Sequence, residues 1–483
     1  MSRPIRHSQF ICLLVLLAGL AGCAPAAPRA QGFFDDGYEA LRNGDWQAAQ
    51  TAFSDGLAVE PDRADALTAR GRAYLALKQY DQSITDFTAA LELNPLDATA
   101  LAGRGEAYLG LGRDGLALPD LSRSIEIAPL RSDVYVDRGL VFYHRGDYES
   151  SILDFSRGIR SDARNTRAYY DRGLAYMKTQ QYAEAAADFT EVLLRNPDSS
   201  SSLRYRSQAY HELGEFELAL QDLDRLLAAS PDSQDLILQQ ADSLYGARRY
   251  DAAIETMNAF LQADPENLSA HFRRGRSYYR LGQYDQAIAD YNFILDSSPT
   301  WLHMLRYRGL AYYRMGDLAA ALKDFNANLQ LEPNDPISYL FRGEIALERG
   351  NLEQGFADMA AAVALQPDNS YVRYTRGRAY YSLKRYKDAA ADFEAAVKSD
   401  PTSASAEYYL ALSLYHRHLF EDALPHFDMV VTLDPDRVWA LYYRGLTHRR
   451  LGQADLAVAD FQQVNTVAPN TRVALLAQER LNP

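Results

Sequence analysis

A period of 34 residues runs through this chain without an insertion. Counting in steps of 34 from Pro61 gives Pro95, Pro129, Ala163, Pro197, Pro231, Pro265, Pro299, Pro333, Pro367, Pro401, Pro435 and Pro469, so twelve of thirteen slots hold proline. A chain made of equal short units cannot build one central core. Each unit has to bury its apolar face against its neighbours, which makes the chain an array of thirteen units over residues 30–471.

Inside the unit 166–199 the apolar residues have helical spacing in two blocks. Tyr169, Leu174 and Tyr176 mark a first helix, and Tyr182, Ala185, Ala186, Phe189, Val192 and Leu193 mark a second. Proline then stops the second block, because its ring supplies no N–H and disfavours helical geometry in the residue before it. Each unit is therefore two helices and two turns, and no strand is expected. Twenty-four residues before each proline slot stand Gly37, Gly71, Gly105, Gly139, Gly173, Ser207, Ala241, Gly275, Gly309, Gly343, Gly377, Ala411 and Gly445. Glycine costs roughly 1 kcal/mol in a helix interior, so its recurrence needs a packing reason, and close approach of two backbones supplies one. Twelve before the slot every residue is Ala, Ser or Gly, and eight before it come large partners such as Phe87, Phe189 and Phe393.

Glycine, a tyrosine three residues on, a small residue, an aromatic and a closing proline at these spacings resemble the tetratricopeptide repeat. The resemblance covers about nine tenths of the chain. It implies an all-α fold, a right-handed α-solenoid of about thirteen 34-residue helix-turn-helix repeats, with the first helices lining an inner wall that binds proteins. Residues 472–483 begin like another first helix and are expected to cap the open end. One departure is systematic. Beside the glycine, where the family often has leucine, stand Arg70, Arg104, Arg138, Arg172, Arg206, Arg274, Arg308, Arg342, Arg376 and Arg444, and sixteen residues after each is an aspartate. The three units without the arginine (Asp36, Gln240, Leu410) also lack the aspartate (Ala52, Thr256, His426). Paired presence and paired absence argue that the two groups meet within each unit, since a buried guanidinium without its carboxylate is costly.

The array divides into repeats one to seven, 30–267, and repeats eight to thirteen, 268–471. The units 234–267 and 404–437 lose arginine, glycine, tyrosine and aspartate together and are expected to be weak joints. Pro119 and Pro425 occupy the same place in a second helix and are expected to bend it.

Ahead of the array, Arg3 and Arg6 precede an apolar run from Phe10 to Gly22 that ends in Leu20-Ala21-Gly22-Cys23. This stretch resembles a bacterial lipoprotein signal. The resemblance implies a signal peptide, 1–22, removed before Cys23, with lipid carried on Cys23. It also implies the outer membrane as destination, because Ala24 rather than aspartate follows. Cys12 would leave with the signal, so no disulfide within the chain is expected. Residues 23–31 hold the lipidated cysteine and a linker, whose residues 24–31 reach roughly 25 to 30 Å. With 50 basic against 64 acidic residues the formal net charge is −14. That balance argues against nucleic acid and against broad adhesion to anionic lipid, leaving the lipid anchor as the contact with membrane.

Chemistry is sparse. Gly110, Gly112 and Gly115 spell G-x-G-x-x-G, but no strand precedes them and they fall in a turn between helices. His416, His418, His426 and His448 gather late in the chain, yet His416 and His418 diverge on a helix and no cysteine accompanies them. No nucleophile elbow is present and the repeats leave no room for a catalytic domain. Neither a catalytic residue, a metal nor a cofactor is expected, and oligomeric state is not legible.

Surface is what remains. The inner track reads Phe272, Arg276, Tyr279 and Arg280 in unit eight, Arg306, Leu310, Tyr313 and Arg314 in unit nine, and Tyr374, Arg378 and Tyr381 in unit eleven. Unit ten interrupts it with Leu340, Glu344, Leu347 and Glu348, while units two and three show a sparser wall, Thr68, Arg72, Leu75, Ala76, Ala102, Glu106, Leu109 and Gly110. Tyrosine and arginine are favoured at protein hot spots and arginine suits acidic segments, so a docking groove is expected near 268–403. Its arginines lie off the glycine and alanine columns, so their removal is expected to leave stability unchanged. The function expected is a non-catalytic adaptor, an outer-membrane lipoprotein facing the periplasm. It would gather envelope proteins or peptides with acidic segments for secretion, pilus, exopolysaccharide-export or cell-wall machinery. The alternative is a carbohydrate- or cell-wall-binding protein whose aromatic track stacks on sugars.

Overall fold

In the computed structural model the described residues are 30–299, 301 and 303–481. Cys23 and the signal-like stretch lie outside them. Twenty-seven α-helices and no strand occur among the described residues. They pair into thirteen antiparallel hairpins, from Ala30–Asn43 with Trp46–Val59 to Val438–Arg450 with Ala454–Val467, followed by a single helix, Arg472–Leu481. No helix among the described residues is long and apolar enough to cross a membrane.

The chain forms two compact units, one ending at Pro231 and one beginning at Asp232. Each is an α-solenoid in which a hairpin packs on the next. Within each unit most first helices also touch the following first helix. In the second unit Arg472–Leu481 buries Val473, Ala474 and Ala477 against Leu441, Tyr442 and Phe461 of the last hairpin, covering its end.

Eight of the ten glycines in the column seat an aromatic ring and Gly105 seats Leu121, which corrects the expected backbone contact. A methyl group added at Gly71 would lie 2.9 Å from the Phe87 ring, and at Gly139 it would lie 2.7 Å from Phe155. Those phenylalanines are fully buried. Where the glycine becomes Ser207 or Ala241 the partner shrinks to Leu223 or Met257, although Ala411 still faces Phe427. Only at Gly343 is the near atom backbone, the Gly355 carbonyl at 2.9 Å.

Every hairpin turn places one residue in the left-handed region. Eight are glycines, Gly112 among them at φ 66°, and five are Lys78, Gln180, Arg248, Lys384 and His418 with φ 58° to 61°. The G-x-G-x-x-G match is thus a turn: Gly112 supplies the positive φ and Gly110 makes room for the Tyr80 ring, 2.7 Å from where its Cβ would stand. Pro119 and Pro425 lie inside Asp114–Ile127 and Phe420–Leu433, which run fourteen residues like the other second helices.

All ten arginine–aspartate pairs form. Arg172 is typical: Nε donates to Asp188 Oδ2 at 2.8 Å and Nη2 to Oδ1 at 2.7 Å, a bidentate fork. Nη1 then donates to Ser156 Oγ of the preceding repeat at 2.9 Å. Ser54, Thr88, Ser122, Thr190, Asn258, Asn292, Asn326 and Asp428 take the same third bond from their arginines. In nine of the ten repeats the pair therefore also ties its hairpin to the one before it, and Arg376, with Ala360 at the matching position, makes only the fork. In the unit 404–437 a different pair takes over: His426 Nδ1 lies 2.6 Å from Glu407 Oε2, and Glu407 is buried. That repeat keeps a polar tie between its own two helices.

Candidate docking surfaces

Three first helices of the second unit carry the aromatic and basic track, Leu268–Arg280, His303–Met315 and Ser370–Ser382, and Pro336–Glu348 stands between the last two. Helical spacing turns its members to one side, and the neighbouring repeats bring acids or rings against them. The aromatic residues mostly pack. Phe272 sets its edge on Tyr307 at 5.1 Å, Tyr313 on Phe341 at 5.0 Å, and Tyr381 on Tyr386 and Tyr409 at 5.4 and 5.3 Å. Tyr374 leans on Phe393 at 5.9 Å, and Tyr279 packs edge-on against Tyr284 at 5.6 Å. Burial, followed by the nearby Glu344 carboxylate, pushes the Tyr313 phenol up to about 12.

The arginines divide into two groups. Arg276 pairs with Asp242 of the preceding repeat and lies over the Tyr245 ring at 4.2 Å. Arg306 Nη1 donates to Asp335 Oδ1 at 3.0 Å, while the other oxygen of Asp335 accepts from the Ser338 amide and caps Pro336–Glu348. These two side chains are packing groups, which corrects the expectation that they lie off the contacts. The reason is the neighbouring repeat, which puts an acid opposite each. Arg280, Arg314 and Arg378 are exposed instead. They rest on tyrosines: Arg280 over Tyr250 at 5.6 Å, Arg378 over Tyr409 at 4.5 Å, and Arg314 Nε donating to Tyr279 Oη at 3.3 Å. Each is a cation held in place by an aromatic neighbour. Glu344 lies close enough to Arg314 and Arg378 to feel both charges, but burial outweighs them and its carboxyl is raised.

The sparser wall of the first unit holds a feature that spacing did not reveal. A cleft of about 270 Å³ is lined by Trp46, Arg72, Leu75, Ala76, Thr99, Ala102, Gly103, Glu106, Arg131, Asp133 and Asp137. Only methyl groups project at Ala76 and Ala102, whereas the space above Gly103 is filled by the Phe87 ring, 2.3 Å from where its Cβ would stand. Asp137 is 4% exposed. Arg167 Nη1 stands 3.0 Å from Asp137 Oδ1 but off the angle of a hydrogen bond, so that oxygen is buried without a donor. Burial, then the nearby Glu106, pushes the Asp137 carboxyl up to about 7, and burial pushes Asp171 up to about 6. The signal in the sequence was the aspartate repeated after 34 residues at 137 and 171.

The late histidines are held separately. His416 stacks on Tyr386 at 4.7 Å, His426 pairs with Glu407, His448 Nδ1 lies 2.6 Å from Gln453 Oε1, and His418 occupies a turn. No group of three metal-ligating side chains converges among the described residues.

Family models described as tetratricopeptide repeat match residues 34–86, 68–132, 170–234, 238–300, 308–370 and 374–438, and a second model of that description matches 439–471. No curated protein sequence matches the chain significantly. Among solved structures, the chain is similar to an APC/C hetero-tetramer of Cut9 and Hcn1, with 14% identity over 94% of this chain and 96% of that one and a TM-score of 0.43. It is also similar to yeast Tom70, with 16% identity, 87% and 95% coverage and a TM-score of 0.34. MamA from Desulfovibrio magneticus RS-1 matches at 24% identity over 36% of this chain and 99% of that one, with a TM-score of 0.33. The family models span most of the repeats, and the chain belongs to the tetratricopeptide repeat family.

Proposed function

We propose that this protein is a lipid-anchored adaptor of the bacterial envelope. Cys23 holds it at the periplasmic face of the outer membrane, and its second unit captures an acidic segment of an envelope protein. The tetratricopeptide fold is a scaffold for protein–protein interaction, and the sequence before Ala30 resembles a lipoprotein signal. The observation that carries the choice of ligand is the state of Arg280, Arg314 and Arg378. They are exposed and supported by tyrosine rings, and no carboxylate lies within ion-pair distance of them among the described residues. An incoming carboxylate finds guanidinium groups whose positions are already restricted, which reduces the ordering cost of binding.

Photo-crosslinking from positions 279 and 374 in native envelopes, with mass spectrometry of what is captured, identifies the partner. The triple change Arg280→Ser, Arg314→Ser and Arg378→Ser is expected to abolish most capture while leaving the melting temperature nearly unchanged. Capture should also weaken as salt rises. Capture that survives the triple change, or that consists of glycan, overturns the acidic-peptide reading. The anchor is tested separately by Cys23→Ser, which is expected to release the protein from membranes or block its processing.

A further inference from the structure

The turns that join one repeat to the next lie along one edge of the first unit, and that edge is unusual. The residue after the proline slot is polar in eleven repeats, but in repeats two and three it is leucine. Leu96 is 59% exposed and Leu130 84% exposed, and beside them Val59 and Leu93, each two residues before a proline slot, are about half exposed. None of the four belongs to the buried core. At the end of the next repeat stand Arg160, in the last turn of Tyr148–Ser161, and Arg164, in the turn that follows, both exposed, whose guanidinium groups make no ion pair among the described residues.

The same edge is where the chain enters the array. In an antiparallel hairpin the start of the first helix lies beside the end of the second, and a contact places it there: the Arg63 guanidinium of the first inter-repeat turn lies over the Phe34 ring at 4.6 Å, in the opening turns of Ala30–Asn43. From Cys23 to Ala30 the chain advances seven residues, a reach of about 25 Å at most. A membrane anchor at Cys23 therefore meets this edge first.

We propose that the inter-repeat-turn edge of repeats one to four, with Leu96 and Leu130 at its centre and Arg160 and Arg164 beside them, seats on the phospholipid surface that holds Cys23. This rests on the lipoprotein reading and adds an orientation to it. The leucines enter the headgroup region and the two arginines meet lipid phosphates. The opposite edge, with Lys78 and Arg145, faces the aqueous side. Glu60, Asp62, Glu92 and Glu126 share the seating edge, so attraction to anionic lipid is not what holds it. Apolar contact close to a covalent anchor is, because the anchor keeps the edge near the surface and makes weak insertion sufficient.

The test uses the lipidated full chain in vesicles of phosphatidylethanolamine and phosphatidylglycerol that contain nitroxide-labelled lipid. Cys12 leaves with the signal and Cys23 carries the lipid, so Leu96→Cys, Leu130→Cys and Arg145→Cys each give one thiol for a fluorophore. Quenching at positions 96 and 130 is expected to exceed that at 145 by about threefold or more, and to persist in high salt. Equal quenching at all three positions, or none, overturns the seating. Mass spectrometry of the N-terminal peptide shows in parallel whether Cys23 carries lipid. If it does not, a histidine tag in place of residues 1–23 holds the chain on nickel-chelating lipid and the same three positions are read. Preferential quenching at 96 and 130 there keeps the seating edge while the anchor reading fails, and its absence overturns both.

Discussion

His426 and Glu407 meet across a hairpin at the place where ten other repeats join arginine to aspartate, and the carboxylate has changed sides. His426 occupies the aspartate slot, and Glu407 sits three residues before the arginine slot, where Arg373 of the preceding repeat reaches Asp392 at 3.1 Å. The substitution is workable because both slots point into the same gap between the two helices.

That geometry predicts a swap. Glu407→Arg alone would put a guanidinium beside His426 and strand it in a largely buried site, so unfolding in urea should come earlier. Adding His426→Asp should recover most of the loss, because Arg373 and Asp392 already hold this arrangement. A double variant no better than the single one would show that the slots are not equivalent.

A second prediction concerns the ladder itself. Arg172→Ala leaves Asp188 buried without its fork and removes the tie to Ser156, with an expected cost of up to about 3 to 5 kcal/mol, reduced by the partial exposure of the guanidinium. Changing both Arg172 and Asp188 to leucine should return much of that stability. Additive losses in a double-mutant cycle would mean that the two side chains act independently.

The turns offer a gain. Gln180 has φ 60° and no side-chain reason to be left-handed. Gln180→Gly relieves roughly 1 to 2 kcal/mol of conformational cost and returns part of it as entropy of the unfolded chain, so the net stabilisation should be under about 1 kcal/mol. Differential scanning calorimetry should show a small rise in melting temperature. A fall would place the strain elsewhere.

Asp137 makes stability depend on pH. Its folded value of about 7 lies above the ordinary carboxylate range, so the folded state binds the proton more tightly. Stability from this group is therefore full at low pH and is lost as pH rises through the window from about 4 to 7. The groups facing it, Glu106, Asp133 and Arg167, modulate the window. Asp137→Asn should flatten that slope and make the protein more stable at pH 8. An unchanged pH profile of the denaturation midpoint would show that Asp137 is ionised in the fold at ordinary cost.

Much of this fold was legible in the residues because what defines it is local. Helical spacing, the proline stop and the glycine column recur every 34 residues, and thirteen copies repeat the signal within one chain. Even the arginine–aspartate fork could be inferred, since its partners lie sixteen residues apart in one hairpin and come and go together. What packing decided is what lies between hairpins. Arg276 and Arg280 are four residues apart on one helix with the same chemistry, yet one is paired to Asp242 and the other is exposed on a tyrosine. The difference comes from what the preceding repeat presents, and that depends on the rotation from hairpin to hairpin, which no single period encodes. The same holds for Asp137, whose burial and unmet oxygen arise from side chains of neighbouring repeats closing over it. It holds too for the five turns where a lysine, glutamine, arginine or histidine adopts a glycine's conformation, because the packed helices on either side impose the turn whatever residue occupies it.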